Sequence, residues 1–168
     1  MKKIKRRIKA GETLAGCWLN LGSSVTAEIV GLSGYDWVLI DLEHGAGEQT
    51  DLLHQLQALE HTPAAALVRV ESYQKERIHR VLDLGANGVM VPRIKSATEA
   101  KAAIAGIHYP PAGVRGGGDR QEVEKQTVLH LQLHPVCAQA QGNKKDSFKR
   151  SQQAGILLAL ASQSALLE

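Results

Sequence analysis

Apolar runs without polar alternation recur at Leu14 to Leu19, Trp37 to Ile40, Ala65 to Val70 and Val89 to Val91, and between them apolar residues return every three or four positions. The first pattern suits strands covered on both faces, the second amphipathic helices. Leu52, Leu53, Leu56 and Leu59 form one helical stripe, Ile78, Val81 and Leu82 another, and Ala97, Ala100, Ile104 and Ile107 a third. Ser96 and Glu99 have capping-box spacing, while Gly34, Gly85 and Gly88 stand where a helix must stop and turn back into a strand. Strands joined by single helices imply a parallel sheet. Four such units are visible, ending near Arg115. A complete eight-unit barrel typically needs about 250 residues. The expected fold class is therefore α/β, a partial (β/α)8 TIM barrel of about four βα units.

The pattern changes after Gly118. Residues 119–168 are rich in glutamine and lack the strand-turn-helix repeat, so two regions are expected: residues 1–118 as the amino-terminal half of a barrel, and 119–168 as a divergent tail, disordered or helical. Within the tail, Leu129, Leu131 and Leu133 alternate like a short strand. Gly155 to Leu167 reads as a helix, one that could cover the open edge of the half-barrel, or as an adhesive apolar segment.

Charge adds little. The formal net charge of +3 over 168 residues demands no nucleic-acid partner. The one dense basic cluster, Lys2, Lys3, Lys5, Arg6, Arg7 and Lys9, has Ile4 and Ile8 at helical spacing and reads as a solvated first helix rather than a membrane or nucleic-acid element. No apolar run reaches the ~18 residues of a membrane span, and no signal-peptide pattern follows the basic start, so a cytoplasmic location is expected. Cys17 and Cys137 sit in no metal-binding spacing and are expected to be reduced.

Candidate chemistry concentrates in YDWVLIDLEH, Tyr35 to His44. Its buried run delivers Asp41, Glu43 and His44 at a strand's carboxyl end, the edge where parallel α/β folds bind ligands. An imidazole beside carboxylates can serve as a general base near neutral pH; alternatively the two acids solvate the loop or cap the next helix. Arg69, inside an apolar run, requires an anionic partner: Asp41 or Glu43 in a structural ion pair, or a substrate carboxylate or enolate oxygen. Arg93, after Val91 and Pro92, reads as a surface cation. The loop Pro110, Pro111, Gly113, Arg115, Gly116, Gly117, Gly118 is a weak anion-cradle signal matching neither the Walker nor the dinucleotide pattern. There is no GxSxG and no paired CxxC.

In order, AGCWLNLGSSVTAEIVGLSGYDWVLIDLEHG, LVRV, RVLDLGANGVMVPRI and YPPAGVRG resemble the amino-terminal half of the HpcH/HpaI aldolase family, the 4-hydroxy-2-oxoheptanedioate or 2-keto-3-deoxy-sugar-acid aldolases, over roughly residues 4 to 118. The resemblance implies a (β/α)8 barrel, a homo-oligomer, and metal-dependent cleavage of 4-hydroxy-2-oxoacids to pyruvate and an aldehyde, with Mg²⁺ or Mn²⁺ holding the enolate. It makes His44 the general base, Arg69 the group that binds pyruvate and stabilises the enolate, and Asp83 the acid that raises the basicity of His44, with Asp41 and Glu43 supporting. It places the metal ligands, a glutamate and an aspartate, on later strands. No segment after Gly118 carries them, so a lost metal site and slow turnover are expected, as from a frameshift, an early stop or a gene fragment. Two alternatives stand beside it: a noncatalytic half-barrel that pairs through its open edge, and a relative of the citrate-lyase β subunit acting on CoA thioesters.

Overall fold

A computed structural model describes residues 4–116 together with the backbone of residues 128–133. Its elements are α1 (Ile4–Lys9), β1 (Gly16–Leu19), α2 (Ser24–Leu32), β2 (Trp37–Asp41), α3 (Gln49–Glu60), β3 (Ala65–Arg69), α4 (Lys75–Asp83), β4 (Gly88–Ile94), α5 (Ala97–Ile107) and β5 (Val128–Leu133). The strands form one parallel sheet in the order β1-β2-β3-β4-β5. Each strand lies beside its predecessor and the order never reverses. That is the winding of a barrel arc, whereas an open doubly wound sheet changes direction at a switch point.

Side-chain alternation divides the core in two. Val38, Ile40, Ala66, Val68, Val89 and Val91 face Leu52, Leu59, Ile78, Val81 and Ile107 of the helices. Trp37, Leu39, Ala65, Leu67 and Met90 point to the opposite, inner face, where Ile4 of α1 packs with them. Basic α1 is thus anchored rather than simply solvated: Ile4 is 3% exposed, and Arg7 bonds both Glu12 and Asp36. The approach of Trp37 to β1 requires glycine at position 16, since a Cβ there would overlap the indole ring.

The helices follow the predicted stripes with local shifts. Leu52, Leu56 and Leu59 are buried but Leu53 turns outward, its place taken by Gln55. The packed face of α5 is Ala100, Ala103, Gly106 and Ile107, with Ala97 exposed. Ser96 caps α5 by accepting from the Glu99 N–H, but the Glu99 carboxylate accepts from Lys95 N–H, one residue earlier than a capping box requires. Gly85, at φ +106, ends α4 as expected, whereas Gly88 is already the first residue of β4. Helix α2 carries an apolar stripe, Val25, Ile29 and Leu32, that faces outward.

The alternation at Leu129, Leu131 and Leu133 does mark a strand, which adds a fifth parallel strand within residues 119–168. Cys137 and Gly155 to Leu167 lie outside the described residues, as do Lys2, Lys3, Gly117 and Gly118. No helix among the described residues is long and apolar enough to cross a membrane. Because Leu39 is fully buried on the inner face, Leu39→Ala is expected to lower unfolding stability by about 2–5 kcal/mol in urea melts.

Candidate active site

Strand period decides what reaches the inner mouth. On β2 the residues Trp37, Leu39 and Asp41 share a face, and on β3 Ala65, Leu67 and Arg69 do; register pairs Asp41 with Arg69 at the carboxyl edge. Both polar ends therefore emerge side by side above the inner apolar cluster. Arg69 Nε donates to Asp41 Oδ1 at 2.8 Å and Nη2 to Oδ2 at 2.6 Å, a bidentate pair in which Asp41 is 2% and Arg69 9% exposed. The half-buried Trp18 ring of β1 lies 4.5 Å from the guanidinium carbon.

Asp41 also organises the loop that follows it. Its Oδ1 accepts from the N–H groups of Glu43 at 3.0 Å and His44 at 3.2 Å, so one carboxylate fixes both the arginine and the turn carrying the other two groups. Burial pushes the Asp41 carboxyl up, but the Arg69 bonds, the two backbone N–H groups and the guanidinium charge together hold it below its ordinary value.

Glu43 is drawn inward between two arginines. Its carboxylate lies 3.1 Å from Arg69 Nη1 and 3.1 Å from Arg93 Nε, with only 6% of the side chain exposed. His44 Nε2 stands 3.8 Å from Glu43 Oε1, and 69% of the His44 side chain is open to solvent. A solvent-exposed imidazole thus sits at the rim of a charge-balanced cluster. Arg93 is a surface cation as expected, 64% of its side chain exposed, and it joins that cluster through Glu43. The register of β4 breaks between Val91 and Ile94, across Pro92, and Arg93 adopts φ +57. For a non-glycine residue this costs about 1–3 kcal/mol. Pro92 within β4 is the sequence signal for such a break; Trp18, one residue before the end of a short apolar run, carries none.

Asp83 is not brought to His44. A crossover helix runs back from the carboxyl to the amino edge of the sheet, and Asp83 is the last residue of α4, so it arrives at the opposite end and pairs with Arg115 Nη2 at 2.8 Å. Arg115 itself is 2% exposed and lies 4.9 Å from the Tyr109 ring centroid, so the glycine-rich loop uses this cation to bind its own chain. Beside them, burial lowers the pKa of His79, with Asp83 opposing and Arg115 reinforcing the shift.

The sequence profile of a family described as HpcH/HpaI aldolase/citrate lyase matches residues 14–168. A hydroxypyruvate/pyruvate aldolase of Agrobacterium fabrum is 41% identical over 116 residues, covering 69% of this chain and 44% of that protein. A pyruvate aldolase of Rhizobium etli is 44% identical over 113 residues, 67% of this chain and 44% of that protein. A solved structure of an HpcH/HpaI aldolase/citrate lyase family protein from Burkholderia cenocepacia J2315 superposes with a TM-score of 0.71 at 30% identity, covering 78% of this chain and 59% of that one. The chain thus spans about 44% of the length of the curated relatives it matches.

The depressed Asp41 pKa makes the pair's contribution fully present at neutral pH and lost as pH falls through the folded-state value. Asp41→Asn removes the bidentate charge partner of buried Arg69 and leaves it Glu43 at 3.1 Å, so it is expected to cost about 3 kcal/mol near neutrality, the low end for breaking a buried pair. In urea melts the gap between variant and parent should shrink at about pH 3 relative to about pH 7.

Proposed function

Because the chain belongs to the HpcH/HpaI aldolase/citrate lyase family, we propose that it is an aldolase-type carbon–carbon lyase that cleaves 4-hydroxy-2-oxoacids to pyruvate and an aldehyde. The observation that carries this reading is the grouping of His44, Glu43, Arg69 and Arg93 at the carboxyl edge of the sheet. The named activities of the pyruvate aldolases it resembles point the same way.

In the cleavage direction His44 takes the proton of the substrate's 4-hydroxyl, the C3–C4 bond breaks, and the electron pair passes to the 2-oxo oxygen as an enolate. An aldehyde leaves, and protonation at C3 completes pyruvate. The Arg69 guanidinium is placed to balance the enolate charge. Two of its nitrogens are committed to Asp41, but its contact with Glu43 is the longest of the three at 3.1 Å and is the one a substrate oxygen can replace. The Glu43 carboxylate stands 3.8 Å from the His44 imidazole and in this reading takes the orienting role that the resemblance gives to Asp83. The Mg²⁺ or Mn²⁺ expected from the resemblance has no matching ligand set: among the described residues no three His, Cys, Asp or Glu side chains could hold a metal ion. Asp41 and Glu43 already face arginines. Proton transfer and balance of the enolate charge are the parts of this chemistry that His44 and Arg69 would supply.

A second reading, a noncatalytic half-barrel that pairs with another chain, is favoured by one feature. Val25, Ile29 and Leu32 of α2 are each 60% exposed or more, next to a β1 edge with no strand partner among the described residues.

A pyruvate-release assay on a 4-hydroxy-2-oxoacid, with and without added Mn²⁺, separates the two. Turnover falling by roughly 10²–10⁴-fold in His44→Ala is the expected outcome for the lyase. No release under either condition, together with a discrete oligomer on size-exclusion chromatography, would establish the pairing role instead.

A further inference from the structure

We propose that His79, Asp83 and Arg115 form an acid-released latch that ties the loop after α5 to the end of α4. The inference does not depend on the lyase reading, because Asp83 and Arg115 stand at the edge of the sheet opposite the mouth.

The first argument is an uneven ion pair. Arg115 is 2% exposed and its Nη2 donates to Asp83 Oδ1 at 2.8 Å, whereas Nε and Nη1 are buried with no hydrogen-bond partner among the described residues. The Tyr109 ring centroid lies 4.9 Å from the guanidinium carbon. A buried cation thus leans on one carboxylate, and 57% of that Asp83 side chain is open to solvent. Removing one partner of a buried pair leaves an uncompensated charge, so the loop stays closed while Asp83 is engaged. Backbone bonds do not duplicate this link. Val114 N–H donates to the Ala105 carbonyl and Arg115 N–H to the His108 carbonyl, each at 2.9 Å, which fastens the loop to α5; the Asp83 pair joins it to α4.

His79 supplies the second argument. It precedes Asp83 by four residues, on the same side of α4, and its Nε2 is buried with no partner among the described residues. A neutral imidazole suits that place. A protonated one sets a second cation near Arg115 with one acid to share. Burial is the main cause that lowers the His79 pKa, with Arg115 reinforcing and Asp83 opposing, while Glu76 and Lys75 of the same helix act in opposite senses. Helix α5, packed against α4, meets it through Gly106, beside Ile78 and Lys75. His108 and Tyr109 are the loop's other titratable residues. Opening the loop returns His79 to water and to its ordinary value, so opening takes up a proton. The latch is therefore whole above the ordinary histidine range and weakens as pH falls through it towards the lowered folded-state value.

Hydrogen exchange of the full chain, corrected for the intrinsic rate at each pH, reads the latch at the Val114 and Arg115 amides. Val70, whose N–H donates to the Met90 carbonyl within the sheet, serves as the control. Protection of Val114 and Arg115 is expected to fall by about threefold or more between about pH 7.5 and about pH 5.5, with Val70 unchanged. His79→Gln, which cannot be protonated in this range, should flatten that profile, and Asp83→Asn should leave both amides poorly protected at either pH. Protection that does not vary with pH in the parent overturns the proposal, as does a pH dependence that persists in His79→Gln. If circular dichroism shows the glutamine variant misfolded, the imidazole resonance of His79 in the parent decides instead. A titration midpoint coinciding with the fall in protection supports the latch, and one displaced from it refutes the latch.

Discussion

The bidentate pairing of Asp41 with Arg69 is the constraint on which the mouth of this sheet depends. Two charges at the ends of adjacent buried strands are costly to desolvate separately. Together they satisfy each other, and the remaining capacity of the same carboxylate fixes the Glu43 and His44 backbone. The loop that presents the imidazole is thus not an independent device set on the fold. It extends an ion pair whose position follows from strand register.

Below that pair the sheet is apolar on both faces, and the two faces do different work. The outer one is a conventional helix-covered core. The inner one carries Trp37, Leu39, Leu67 and Met90, with Ile4 packed among them, below the polar carboxyl ends of β2 and β3. At that edge the charged groups largely balance one another: Asp41 and Glu43 against Arg69 and Arg93. Asp41, Glu43 and Arg69 are buried there, while Arg93 and His44 remain open to solvent.

Much of this was legible in the linear pattern because its causes are local. Uninterrupted apolar runs marked β2, β3 and β4, and a guanidinium inside one of them had to find an acid, which it did. The strand at Leu129 to Leu133 was visible as alternation even though its surroundings were not. What remained hidden depends on direction and long-range geometry. The resemblance ties Asp83 to His44, but a returning helix carries it to the other end of the sheet. Arg93 is the surface charge it looks like, but its guanidinium also meets Glu43 after the break at Pro92, and Leu53 belongs to a helical stripe until Gln55 takes the buried position beside it. Arg115, expected to greet an anion in a glycine-rich loop, is held instead by Asp83 and Tyr109.

The chain contains two tryptophans, Trp18 and Trp37. One ring lies over the Arg69 guanidinium and the other is sealed in the inner floor two strand turns below Asp41. The native polypeptide therefore carries a pair of intrinsic fluorophores at separate depths of the same face. Emission from the upper indole is sensitive to the cation beside it, and emission from the lower one to water reaching the core, so the state of the mouth and the integrity of the floor have distinct optical signatures without any added label.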